Sequence, residues 1–239
     1  MLSINAIAAL QGKYGSAIWT QWSNLRWPQY DYARYTPAGI TSLSLFAVPQ
    51  GGVDPVSGLT KTAEQTSMLA GGTFGQVGQL ITQIRCHAFI LPLGRQVATI
   101  RDDADVLWTT FSNMMSKYLE LLRRGVLQVF INSKEFFTIS EPFQRCPPGF
   151  GVRIQQHGAS YIAAAAAFTK FSTWVQQSPR AEDVFDVNPP QFIEPNVQFQ
   201  VQLNYFDGTG PVFTGLVDSV DPAIDIGVIF DGYQVRPSS

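Results

Sequence analysis

The chain carries few charged residues for its length. Of its 239 residues, 16 are Lys or Arg and 18 are Asp or Glu, so charged residues make up 14% of the sequence, against roughly 25% in an average soluble domain. The formal net charge is -2, and Arg123-Arg124 is the only adjacent basic pair. Because a nucleic-acid surface needs a concentrated basic stripe, we expect no specific nucleic-acid partner.

Cysteines are scarce and long apolar runs are missing. Cys86 and Cys146 can form at most one disulfide, so the chain is not a disulfide scaffold, and reduced thiols in a cytosolic setting are expected. The longest apolar run, YIAAAAAF at 161–168, is far shorter than the roughly 20 residues that span a bilayer. The opening MLSINAIAALQGKYG has no basic segment before its apolar run, so no signal peptide is expected.

Sequence motifs of catalysis are also missing. No HExxH, CxxC or GxxxxGK[ST] occurs. His87 follows Cys86, and neighbours on a strand point to opposite faces, so these two side chains cannot form a nucleophile–base pair. Cys146 with His87 or His157 stays open, because such pairs are spatial. The carboxylates of DSVDPAID at 218–225 lack the spacing of an EF-hand. We predict no enzymatic activity, no cofactor and no metal.

The clearest strand signal is NVQFQVQLNYF at 196–206. Apolar and polar residues alternate along it, which is typical of a half-buried strand. Its polar face carries amides where Lys, Glu or Thr would be usual, and these residues are Gln198, Gln200, Gln202 and Asn204. An amide both donates and accepts hydrogen bonds, and it avoids the desolvation cost of a charge. Such a face suits a surface that is solvated at first and later covered by a partner.

Other segments predict a β-rich fold with two helical inserts. Strands are expected at 40–48, 80–94 and 225–237, and a hairpin at 125–140 that turns at Asn132-Ser133-Lys134. A Gly-rich loop is expected at 49–79. Apolar residues at three- and four-residue spacing predict a helix at 103–124, stopped by Gly125, and the Ala-rich segment 159–176 is predicted as a second helix. Antiparallel strands with such inserts favour a jelly-roll-like β-sandwich. A single roll is favoured, with a compact double roll as the alternative.

Large aromatic residues are concentrated near the amino terminus. Trp19, Trp22, Trp27, Tyr30 and Tyr32 lie in one stretch interrupted by prolines. We therefore interpret residues 1–38 as an extended aromatic arm and 39–239 as the β domain. Aromatic side chains suit anchoring in a neighbour's pockets, and the alternative is that the arm folds over its own core. Together with Gln198, Gln200 and Gln202, these aromatics are the candidate assembly residues.

In the carboxyl-terminal fifth, the amphipathic strand is followed by a closing strand of the type xGVxxDGxxxRP, which comprises Gly227, Val228, Asp231, Gly232, Arg236 and Pro237. With these two strands, this part of the chain resembles the carboxyl ends of bacteriophage virion proteins. The resemblance implies a jelly-roll capsid subunit of an icosahedral phage shell, self-associating as a trimer or larger capsomer, bound to other virion proteins and assembled in the host cytoplasm. An internal membrane beneath the shell is compatible with this resemblance. The alternative function is a carbohydrate- or receptor-binding β module of a phage spike or fibre.

Overall fold

The computed structural model describes residues 25–91, 116–118, 120–146, 151–162, 167–177, 185–214 and 223–235. Eleven strands lie in these ranges: β1 (Leu25–Arg26), β2 (Gln29–Tyr35), β3 (Ser42–Leu45), β4 (Gly78–Leu91), β5 (Val126–Ile131), β6 (Lys134–Ser140), β7 (Gly151–Ile162), β8 (Ala167–Gln177), β9 (Phe185–Ile193), β10 (Phe199–Asn204) and β11 (Ala223–Val235). The helical segments in these ranges are α1, at 116–118 and 120–123, and α2 (Pro142–Arg145).

Two antiparallel sheets pack face to face as a sandwich. Sheet A has the order β1-β11-β4-β9, and β2 pairs with β11 along the same edge as β1. Sheet B has the order β3-β10-β5-β6. Strands β7 and β8 pair only with each other within the described chain. The predicted class, a mainly β protein built as an antiparallel sandwich, is confirmed.

Alternate residues of the two sheets fill a common apolar core. On β10, Phe199, Val201 and Leu203 are buried, as the alternation predicts. Phe46, directly after β3, stacks on Phe230 of β11 with 4.9 Å between ring centroids, so the end of β3 is tied to the opposite sheet. Full burial of such a side chain contributes about 1.5–3 kcal/mol. The core therefore fixes which face of each sheet remains outside.

The β5–β6 hairpin turns where the sequence predicts. Asn132 and Ser133 have φ of 50° and 61°, which is the two-residue type I′ turn that matches the twist of a hairpin. Asn tolerates this left-handed conformation better than most residues. The pairing register shifts between Val129 and Phe130, so a β-bulge lies at the middle of the hairpin.

The carboxyl-terminal end of the predicted helix 103–124 is confirmed. Residues 116–118 and 120–123 are helical, and Gly125 has φ of 95°. A residue with a Cβ rarely adopts this conformation, so glycine is suited to end the helix here. Residues 103–115 lie outside the described residues.

The predicted helix at 159–176 is wrong. Its described residues belong to β7 and β8, which pair from Gly151↔Gln177 to Ile162↔Ala167. Aromatic and β-branched residues are frequent in this segment, and these residue types favour strands. The ladder with β7 satisfies the backbone groups of β8, which a helix would otherwise satisfy locally. The Ala-rich run led to the wrong prediction of a helix, although the residues that follow it favour a strand more strongly.

The expected boundary between arm and domain at residue 38 does not fit the described part of the arm. Gln29–Tyr35 is a strand of sheet A, paired with β11 from Ile224↔Tyr35 to Phe230↔Gln29. Ala33 and Tyr35 are part of the core. From Leu25 onward, the alternative that the sequence left open is correct, because this segment packs against its own domain. Residues 1–24 lie outside the described residues.

The Gly-rich segment between β3 and β4 is a loop, as predicted, and it covers the outer edge of β2. The amide of Tyr32 donates to the carbonyl of Gln65 at 2.8 Å, and the amide of Ser67 donates to the carbonyl of Tyr30 at 2.9 Å. Lys61 of the loop reaches Asp31 of β2 with 2.8 Å between Nζ and Oδ1. Hydrogen bonds and a buried ion pair therefore close this edge of sheet A.

Candidate assembly interface

The outer face of sheet B is a polar surface with very little charge, which we call the amide face. The strand register places its outward side chains in rows that cross the sheet. They are Ser42 and Ser44 of β3, Gln200, Gln202 and Asn204 of β10, Val126, Gln128 and Phe130 of β5, and Glu135, Thr138 and Ser140 of β6. Glu135 is the one charged side chain among these described positions.

Hydrogen bonds link the amides across three strands. Asn204 Nδ2 donates to Gln128 Oε1 at 2.7 Å, and Gln128 Nε2 donates to Glu135 Oε2 at 3.3 Å. The hydroxyl of Thr138 donates to the other oxygen of the same carboxylate. This chain joins β10, β5 and β6, so the orientations of the Asn204 and Gln128 amides are set by their neighbours. The amide face is therefore an ordered array of donors and acceptors.

Exposure divides the amide face into an ordered part and an accessible part. Asn204 is buried at 8% exposure, and Gln128 and Gln202 are half-buried. Gln200 is exposed, and it lies opposite Phe130 in the register. An exposed amide can bond to water or to a partner's polar group with little change in energy. The amides of this face can thus be hydrated in a free subunit and desolvated by a partner, and Glu135 is the one charge among the described positions of the face that the partner would have to satisfy.

The outer face of sheet A has a different chemistry. Arg34 pairs with Asp225 at 2.5 Å, and Arg85 pairs with Asp231 at 2.6 Å. Asp225 was a member of the acidic segment considered for calcium, and here it faces an arginine instead. Charged pairs such as these are costly to strip of water when a partner covers them. Of the two outer faces, the amide face is better suited to a close protein contact.

A buried histidine lies on the outer side of sheet A. His87 is 2% exposed, and its ring meets the ring of Tyr32 nearly edge-on, with 6.1 Å between centroids. Burial, assisted by the positive charge of Arg85, lowers the pKa of His87 to about 4. The imidazole is therefore neutral at pH 7. Cys86, its neighbour in sequence, points into the core, so the expected opposite orientation of these two side chains is confirmed.

The structure places the predicted assembly residues on different surfaces. Trp27 is 49% exposed between β1 and β2, whereas Tyr30 and Tyr32 are half-buried on the outer face of sheet A. Gln200 and Gln202 lie on the amide face, and exposed Gln198 precedes it directly. Trp19 and Trp22 lie outside the described residues. The described aromatic residues of the prediction, Trp27, Tyr30 and Tyr32, therefore do not form a common site with the amide residues.

Several residues of the amide face were not predicted from the sequence. Ser42, Ser44, Gln128, Glu135 and Thr138 come from three other strands, and only the pairing of those strands with β10 brings them together. The one available signal was polar alternation in short strands, such as SLSL in β3. Gln128 lies in the otherwise apolar strand VLQVFI, which hides its outward position.

Comparison with known proteins adds no functional assignment. Among the described residues, no group of three or more His, Cys, Asp or Glu side chains could hold a metal ion, and no described helix has the length and apolar character needed to cross a membrane. No family model, no curated protein and no solved structure matches this chain.

Proposed function

We propose that this chain is a structural subunit of an icosahedral bacteriophage shell and that its sandwich is a single jelly roll. In this proposal, copies of the chain associate as trimers or larger capsomers, together with other virion proteins, during assembly in the host cytoplasm. The subunit has no catalytic role, cofactor or metal. The observation that carries the proposal is the amide face, a broad ordered sheet surface that can be covered without burying many charges.

The pairing of the strands supports the jelly-roll part of the proposal. Leaving aside β1 and the β7–β8 hairpin, the first four strands pair with the last four in reverse order: β2 with β11, β3 with β10, β4 with β9, and β5 with β6. These eight strands are thus arranged as one long hairpin. The contacts of β11 with β4 and of β10 with β5 roll this hairpin into two sheets. A hairpin rolled in this way is the arrangement expected of a jelly roll, which supports this part of the proposal.

The edges of the two sheets are protected against strand addition, which favours contacts between subunits through the sheet faces. The edge of β2 is covered by the loop that follows β3. The edge strand β9 contains Pro189 and Pro190, β3 has only four residues, and β6 carries a bulge together with Lys134 and Glu135. Each feature discourages strand addition by another molecule. Copies of this chain would therefore meet through surfaces such as the amide face, where hydrogen bonds repeat with the symmetry of the shell.

A second candidate function is binding of a carbohydrate, as in a spike or fibre module. The observation that favours it is the mixture on the amide face, where Gln128 and Gln200 adjoin the half-buried ring of Phe130 and the carboxylate of Glu135. Amides and a carboxylate can bond to sugar hydroxyls, while a ring can pack against a sugar face. The face extends over the four strands of sheet B, which fits a broad protein contact better than a small ligand.

The expressed protein distinguishes the two functions. Size-exclusion chromatography followed by negative-stain imaging should reveal trimers, rings or shells if the chain is a coat subunit. A glycan-binding module would remain small and be retained on a glycan column. A species that stays monomeric at high concentration and binds a glycan would overturn the coat-subunit proposal in favour of the alternative.

A further inference from the structure

The two cysteines meet within the core although 59 residues separate them in the sequence. Cys86 lies on β4, and Cys146 follows α2 as its carboxyl-terminal cap. Both are free thiols and both are buried, at 1% and 0% exposure. The β4–β9 pairing ends at Ile84, and beyond it the amide of Cys86 donates to the carbonyl of Cys146 at 2.8 Å. Beyond the end of the pairing with β9, β4 is therefore hydrogen-bonded to the carboxyl-terminal cap of α2.

The backbone geometry of this contact suits a disulfide. The single bond from the amide of Cys86 to the carbonyl of Cys146 limits the distance between the two Cα atoms to about 6.5 Å, and disulfides span roughly 4.4–6.8 Å between Cα atoms. Both side chains belong to the same buried core cluster, and the electrostatic effect of Cys146 on the Cys86 thiol fits two neighbouring thiols. Closing the bond therefore requires little movement of β4 or α2.

We propose that Cys86 and Cys146 form a redox-active pair that closes to an intramolecular disulfide and ties α2 to β4. The oxidant is a low-molecular-weight disulfide. One cysteine, as its thiolate, attacks this disulfide, forms a mixed disulfide and releases one thiol. The second cysteine then displaces the other thiol, so two protein thiols are oxidised and one external disulfide is reduced to two thiols.

Burial determines when this reaction occurs. An apolar environment disfavours the thiolate, which is the reactive species, and burial raises the pKa of Cys86 well above its usual value. The pair is therefore unreactive in the closed native state. It reacts during folding or when α2 opens, and once formed, the disulfide is protected from reduction by the same burial. A subunit that leaves a reducing compartment would thus gain a covalent bond between the end of α2 and β4.

Refolding the full chain under defined redox conditions tests the proposal. The protein is unfolded in urea with a reductant and refolded with either reduced or oxidised glutathione. It is then alkylated in denaturant and weighed by mass spectrometry. We expect two alkylated thiols after reducing refolding, none after oxidising refolding, and a peptide containing Cys86 linked to Cys146. Because the disulfide closes a long loop, the thermal midpoint should rise by about 10 °C in the oxidised form.

The comparison of oxidised and reduced wild-type protein needs no substitution, and Cys146→Ser serves as the matched control. In this variant the midpoint should not respond to oxidised glutathione. Two thiols that remain alkylated after oxidising refolding, glutathione attached to both cysteines, a dimer linked through either cysteine, or an oxidised form with a lower midpoint would each overturn the proposal.

Discussion

Placing a charge on the amide face should impair assembly while leaving the folded subunit intact. Gln200 is exposed and points away from the core, so Gln200→Lys should change the free energy of unfolding by less than about 0.5 kcal/mol. Glu135 lies two strands away across β5, a separation of about 10 Å. At that distance in water the attraction between the two charges is only about 0.4 kcal/mol before screening by salt. Even a lysine side chain that extends toward Glu135 would form an exposed ion pair worth at most about 1 kcal/mol, so the new ammonium group gains no strong partner from Glu135.

Covering the same lysine with another subunit has a much larger cost. Removing an unpaired ammonium group from water costs several kcal/mol even after local relaxation, and about 3 kcal/mol corresponds to a change of about 100-fold in a dissociation constant. Gln200→Lys should raise the protein concentration at which assemblies appear by about that factor. Light scattering over a dilution series measures this threshold, and urea denaturation checks the stability of the subunit.

Two variants serve as controls for the charge and for the side chain. Ala63→Lys adds the same charge at an exposed position of the loop beside β2, and Gln200→Asn keeps an uncharged amide on the amide face. Both should assemble near the wild-type threshold. If Gln200→Lys assembles within about threefold of the wild type, the amide face is not covered and the reasoning is refuted.

Three further predictions concern the folded subunit. Asp31→Ala leaves the buried ammonium of Lys61 unpaired, so the free energy of unfolding measured in urea should fall by about 3–5 kcal/mol. Adding Lys61→Met should recover much of this loss. A loss below about 1 kcal/mol would show that the ion pair is unimportant. Because the pKa of His87 is depressed in the folded state, the unfolded state takes up a proton first as the pH falls below about 6.5. The free energy of unfolding should therefore drop by about 2 kcal/mol between pH 7 and pH 5. This part of the drop should vanish in His87→Gln. Gly232→Ala places a Cβ against the carbonyl of Leu80, so it should lower the free energy of unfolding by about 2 kcal/mol or more, and an unchanged midpoint would contradict that account.

Strands with clean alternation were predictable because burial of one face imposes a period of two. The segment at 196–206 shows this most clearly, since every inward residue of β10 is apolar. The hairpin turn was predictable for a local reason as well, because Asn132 tolerates the left-handed conformation that the turn requires. These features depend on residues close together in the chain.

The strand β2 was harder to predict because two of its four inward positions are polar. Gln29 and Asp31 are buried alongside Ala33 and Tyr35, so the apolar alternation is broken. Asp31 is tolerated there only because Lys61 and the amide of Phe46 bond to its carboxylate. Its partner strand β11 is almost 200 residues away in the sequence. Local patterns contain no information about either compensation.

The hairpin β7–β8 shows how apolar spacing can mislead. Phe168, Phe171 and Val175 recur at three- and four-residue intervals and follow an alanine run, which imitates the apolar stripe of a helix. The decisive factor was the partner strand, since Gly151–Ile162 offers a long complementary ladder. For the same reason the composition of the amide face could be inferred only for β10. The neighbours contributed by β3, β5 and β6 depend on register, which the sequence does not display.

The central claim, that the amide face is covered by other subunits, is tested most directly by the reactivity of a cysteine placed on it. Gln200→Cys should react rapidly with a maleimide in the dissociated subunit, while buried Cys86 and Cys146 stay unreacted. In the assembled particle its labelling rate should fall by at least about tenfold, whereas Ala63→Cys should label equally in both states. A cysteine at position 200 that reacts as fast in the particle as in the free subunit, or a chain that forms no particle at all, would contradict the account.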